Sequence, residues 1–241
     1  MRQEPPERRL IINGRRGFTL VELMVVVVII AVLMMVAAPI FQGANRGSRI
    51  RTSAFQLSTT FTLARQTAIT QRKLVHIIFP DHASFLFAGQ PREAEKAYRS
   101  YAPFASFPGG SSTNGEYIGE WRMLAPGIVF NPDYIPPAGS GIGGNIFLAE
   151  NPPGKLTLTN TFPFPMNSGI KVGLFCVTFR PDGAMDKVGS TAKAIFLTEG
   201  IVEADLVNGA ASFPQYRPNS TVTALGINPL TGNVRTRDFT P

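Results

Sequence analysis

Apolar residues follow three different patterns along this chain. The first is continuous: an apolar run opens at Phe18, is broken once at Glu22, and then continues through sixteen apolar residues from Leu23 to Ala38. A helix over residues 18–41 would be about 36 Å long at 1.5 Å per residue, enough for a hydrocarbon core of about 30 Å, and would satisfy its own backbone groups there. The second pattern is a stripe. Ile50, Ala54, Leu57, Phe61, Ala64 and Ala68 recur at spacings of four and three, which predicts an amphipathic continuation of the helix over 42–73. Its opposite face, with Arg51, Ser58, Arg65 and Arg72, is expected to meet solvent or other subunits.

From Leu74 the period becomes strand-like. Leu74–Phe79 and Ser84–Ala88 flank Pro80-Asp81-His82 and predict a hairpin, with Asp81 as a turn residue. Residues 89–154 are crowded with Pro and Gly and predict long inserted loops carrying short strands at Trp121–Leu124, Ile128–Phe130 and Ile146–Leu148. The aromatic residues there, such as Tyr98, Phe104 and Trp121, argue against a disordered linker and for loops packed over a sheet, with a partner-binding surface as the alternative. Further strands are expected at Lys155–Asn160, Ile170–Phe179, Ala192–Thr198, Thr221–Ile227 and Asn233–Phe239, with turns at Pro181-Asp182-Gly183 and Leu230-Thr231-Gly232-Asn233. The expected fold class is α+β: a long N-terminal transmembrane and amphipathic helix packed on a mainly antiparallel β-sheet domain spanning 74–241.

Charge gives the first helix a direction. Arg15 and Arg16, with Arg2, Arg8 and Arg9, hold the N-terminal end on the cytoplasmic side, and the residues after Phe41 then lie extracytoplasmically, despite Arg46, Arg49 and Arg51 on that side. The net charge of +7 is partly a property of this start, because residues 1–17 hold five Arg and two Glu. Residues 18–241 carry 18 basic and 14 acidic side chains, a mild excess suited to solubility. The one cysteine, Cys176, cannot form an intrachain disulfide and lies in an apolar run, where it reads as a small buried hydrophobe.

Glu22 stands out chemically. A lone carboxylate inside a membrane helix costs roughly 2.5–3.5 kcal/mol. No Lys, Arg or His lies between Thr19 and Phe41, so a charged partner must come from another chain or a newly made N-terminus. The alternative is a Glu near enough to the interface to reach water.

The segment Arg15-Arg16-Gly17-Phe18-Thr19-Leu20-Val21-Glu22-Leu23 resembles the type IV prepilin signal. The resemblance implies a leader of residues 1–17, cleavage between Gly17 and Phe18 by a prepilin peptidase, and N-methylation of Phe18. Glu22 would then pair with the terminal amine of a neighbouring subunit, and Pro39 sits where pilins often bend the helix. It also implies an inner-membrane protein, single-pass, whose partners are other pilin or pseudopilin subunits and the inner-membrane assembly platform. An ordinary secretory signal fits less well, because its nearest candidate cleavage site, Val36-Ala37-Ala38, follows too long a core and precedes Pro39.

A second resemblance is scattered. Leu63-Ala64-Arg65-Gln66-Thr67-Ala68-Ile69, Val177-Thr178-Phe179-Arg180-Pro181-Asp182-Gly183 and Thr231-Gly232-Asn233-Val234-Arg235 resemble segments of the H-type minor pseudopilins of type II secretion and of T-type fimbrial minor pilins. Some T-type members bind DNA through a Gly-Arg-x-Arg turn. Here the turn reads Gly232-Asn233-Val234-Arg235, without the first Arg; Arg235 and Arg237 could still touch phosphate, but exposed arginines on an edge strand are more often plain solvated positions.

Other chemistry is poorly supplied. His76 and His82 lie across the expected hairpin with no set of ligands around them, so no metal or cofactor is expected. Gly139–Gly144 lacks the Gly-Lys-Ser/Thr ending of a phosphate loop. Glu199 with Glu203, and Asp182 with Asp186, read as solvated faces, and there is no nucleophile elbow. The expectation is a structural subunit of a type II secretion pseudopilus or type IV pilus, not an enzyme. A DNA-binding minor pilin and an anchored domain that never assembles are the alternatives.

Overall fold

The computed structural model describes residues 18–107, 114–140, 142, 144–145, 147, 161–186, 193–203, 214–218 and 220–239, apart from the side chains of 36–46, 91–92 and 193. The chain divides into two compact units, residues 1–45 and 46–241. Helix α1, Leu20–Gln71, supplies residues to both, and each unit is described by itself.

In the first unit, α1 begins one residue after Thr19. Every large apolar side chain described from Phe18 to Met35 is exposed. The expected membrane span at 18–41 falls partly on residues whose side chains lie outside the described set. Among the described residues no helix is long and apolar enough to cross a membrane.

In the second unit, the helical stripe is the spine of the core. All six of its residues, Ile50 to Ala68, are buried, with Leu57, Phe61 and Ala68 at 0 % exposure. They pack with two antiparallel sheets in one cluster. The first sheet runs β3 (Gly115–Tyr117), β2 (Ser100–Ser106), β1 (Leu74–Phe79), β8 (Phe175–Phe179), with β4 (Arg122–Met123) also on β2. The second runs β10 (Pro214–Tyr216), β9 (Lys193–Val202), β11 (Val222–Ile227), β12 (Val234–Phe239), with β5 (Ile128–Phe130) on β9. The α+β class is as the sequence implies.

Strand β1 shows how period 2 sorts side chains. Val75, Ile77 and Phe79 face the helix, while His76 and Ile78 face the other way. That far face is covered by a hairpin of β6 (Thr161–Phe164) and β7 (Ile170–Gly173), and by helix α2 (His82–Phe87). Burial on both faces explains why β1 reads as a nearly unbroken apolar run. The second sheet has its own outer cluster, in which Phe196, Ala194 and Ala224 meet Tyr134 and Phe239.

Several expected elements are corrected. Ser84–Ala88 is not the return strand of a hairpin; residues 82–87 form α2. Asp81 is its N-cap, accepting from the Ser84 amide at 2.9 Å, and that bond favours a helical turn over an extended chain. The return strand is β2, inside the segment expected to loop. Its Pro103 hid it, since proline normally excludes a central strand. Here the Pro103 carbonyl accepts from Ile118 in the gap between β3 and β4, so the missing N–H points where no ladder bond is needed. Ile170–Phe179 is two strands, because β7 pairs with β6 and β8 pairs with β1. Leu174 between them turns into the outer cluster. Lys155–Asn160, and most of Ile146–Leu148, lie outside the described residues.

Candidate processing and assembly site

The first turn of α1 is built by two residues three apart. Thr19 Oγ1 accepts from the Glu22 amide at 3.3 Å, and its carbonyl accepts from the Leu23 amide at 3.2 Å. This is a helix N-cap, and Thr-Leu-Val-Glu is the residue pattern of a capping box. Glu22 is therefore the acidic residue of the first turn, where the positive end of the helix dipole favours a carboxylate. The spacing was visible in the sequence as Thr-x-x-Glu, and the reading of Glu22 as an interruption of an apolar run passed over it. Phe18 is 74 % exposed and precedes the cap, while Gly17 lies outside the described residues. Past this turn the apolar surface continues unpaired to Met35, with no second carboxylate.

The remaining candidates sit in the second unit. Arg235 and Arg237 lie on β12, the last strand of the second sheet, opposite Gly226 and Ala224 of β11. Arg235 is exposed. Arg237 is partly committed: it donates to the Ser140 carbonyl at 2.6 Å and lies 5.5 Å from the Phe239 ring. His76 is buried on the outer face of the first sheet, between the Thr178 hydroxyl on Nδ1 and the Ser106 hydroxyl on Nε2, each at 2.8 Å. Burial lowers its pKa to about 4, so it is a neutral hydrogen-bonding bridge across three strands. His82 is buried in α2, and among the described residues no group of His, Cys, Asp or Glu could hold a metal. Cys176 is half-buried rather than buried, 3.8 Å from the Thr178 hydroxyl.

Glu199 is not simply solvated, since it pairs with Arg217 at 3.5 Å, and Asp182 pairs with Arg180 at 3.2 Å. Arg65 also departs from expectation. It donates from Nε to the Gly183 carbonyl at 3.1 Å, and both Gly183 and Gly232 pack against its side chain. Three segments far apart in the chain thus meet at one point, and they are the three that carry the second resemblance. The Met185 amide closes this junction on the Pro229 carbonyl at 2.9 Å.

Comparison with known proteins bears on the first unit. Residues 12–38 match the family described as the prokaryotic N-terminal methylation motif. This match marks the chain as type IV pilin-like. No curated protein and no solved structure matches the chain. The motif makes the N-terminal segment a prepilin-type substrate, and so implies processing by a prepilin peptidase and assembly with other pilins. The cap at Thr19 and the carboxylate of Glu22 fall inside the matched stretch.

Proposed function

We propose that this chain is a structural minor pilin or pseudopilin, not an enzyme. It is inserted in the bacterial inner membrane as a single pass through the apolar part of α1, with residues 46–241 extracytoplasmic. It is cut between Gly17 and Phe18, N-methylated on Phe18, and assembled through α1 into a type II secretion pseudopilus or a type IV pilus. The observation that carries this reading is the exposed apolar surface from Phe18 to Met35, capped by Thr19 with Glu22 in the first turn, and coincident with the methylation motif. Such a surface has no intramolecular partner among the described residues, and side-by-side packing of helices would cover it. Helices in lipid gain little from leaving lipid, so close packing and the pairing of Glu22 with a neighbour's terminal amine must set the register.

The N-terminal mass of the protein from native membranes tests the processing. A chain starting at methylated Phe18 is the expected result, and an uncut start would favour an anchored domain that never assembles. Glu22→Ala tests assembly: processing and folding should persist while incorporation into sheared fibres is lost. Normal incorporation of the Ala variant would remove the role given to Glu22.

A further inference from the structure

A cleft of about 390 Å³ opens in the second unit, on the second sheet. It lies at Glu199 and Gly200 of β9, where the pairing with β5 reaches Glu199 and the pairing with β10 starts at Gly200. The backbone at this seam is already satisfied, because Gly200 donates to Gly127 at 3.0 Å and Arg217 donates to Glu199 at 3.0 Å. What the cleft offers is therefore side chains and carbon surface. Gly200 itself has no room for a side chain, since a Cβ there would sit 2.6 Å from the Gln215 carbonyl oxygen and 2.8 Å from Val129.

The exposed carbon surface comes from Pro126 and Ile201, beside the buried Ile128. The charges are two guanidinium groups, Arg49 and Arg217, against one carboxylate, Glu199. Arg217 shares its charge with Glu199 at 3.5 Å. Arg49 has no ion pair among the described residues. The Tyr216 hydroxyl is taken, donating to Asp133 at 3.1 Å. The cleft thus presents one uncommitted guanidinium and a net positive charge beside an apolar wall. A guanidinium recognises carboxylates through paired N–H donors, more strongly when apolar surroundings exclude water.

We propose that this cleft binds an acidic side chain held between apolar residues on a peptide segment of a partner protein. The carboxylate meets Arg49 and Arg217, and the flanking apolar side chains cover Pro126 and Ile201. Glu199 sets the selectivity. It repels a second negative charge, so a single carboxylate is preferred over a doubly charged phosphate or an anionic lipid surface. This inference concerns residues 46–241 and holds whether or not the N-terminal segment is processed.

The test is a titration of the full chain in detergent micelles, labelled on isoleucine methyl groups, with the peptide Ac-Val-Glu-Val-NH2. Saturable shifts at Ile128 and Ile201 are expected, with the Gln counterpart peptide binding about tenfold or more weakly. Arg49→Ala should weaken binding of the Glu peptide about tenfold, while Arg51→Ala, an exposed charge two residues away that does not line the cleft, changes it less than about twofold. Arg49→Glu should abolish binding of the Glu peptide. Equal binding of the Gln peptide, equal loss from Arg51→Ala, shifts produced as well by inorganic phosphate, or no saturable shift at all would each overturn the proposal.

Discussion

Residues 20–35 and 50–68 belong to the same helix yet treat apolar side chains in opposite ways. In the first stretch Leu20 is 75 % exposed and Met35 is 81 % exposed; in the second, Leu57 and Phe61 are fully buried. The difference lies in pattern rather than in hydrophobicity. Residues 23–38 are apolar on every side, so no face is singled out for an intramolecular partner, and the surface is left for lipid or another chain. Residues 50–68 concentrate their apolar side chains in one stripe, and two sheets of the same chain cover it. A uniformly apolar helix is therefore the part of this molecule that seeks something outside it, and a striped helix is the part that organises its own fold.

Emptying the stripe should have the largest effect on the second unit. Phe61 packs edge-on to Phe179 at 6.0 Å and near Phe79 at 6.5 Å, so Phe61→Ala should cost about 3–5 kcal/mol in chemical denaturation. A loss below about 1 kcal/mol would show that the stripe is not the spine of the second unit. Acid attacks the same unit from the other side of β1. The unfolded chain takes a proton on His76 as pH falls below 6.5, whereas the folded one resists until about 4. The contribution of neutral His76 is thus complete above pH 6.5 and is lost on descending to about 4, a change of about 3 kcal/mol. Denaturation curves at several pH values should show that slope, and His76→Gln should flatten it.

A smaller loss is expected at the junction of Arg65 with the two turns. Gly232 has a φ of 66°, and a Cβ there would collide with the Gly183 carbonyl oxygen and meet Arg65 Cδ at 2.8 Å. Gly232→Ala should therefore destabilise by about 1–3 kcal/mol, more than Gly47→Ala, which meets nothing within 4 Å. The smallest effect is expected in the exposed stretch. Val27→Ala in the exposed stretch should change the denaturation of the second unit by less than about 0.5 kcal/mol. A large effect there would mean that the apolar run also serves the fold.

Much of this architecture could be read from the residues because the signals are local. The run from Phe18, the stripe from Ile50 to Ala68, and strand β1 from Leu74 to Phe79 each follow from spacing within one segment, where period and side-chain direction are tied by backbone geometry. The prepilin-type signal is local as well, being a fixed order of residues from Arg15 to Leu23. What escaped were features whose meaning depends on a neighbour distant in the chain. Pro103 is tolerated in β2 only because β3 and β4 leave a gap beside it, and Arg65 turns away from solvent only because Gly183 and Gly232 arrive there from distant segments. Residue order alone dictated the helix, its change from uniform to striped, and the N-terminal signal. Folding in three dimensions decided which strands pair, which turns meet Arg65, and where a cleft with an uncommitted Arg49 opens, because long-range pairing is selected by the burial of whole surfaces and leaves no period in any one segment.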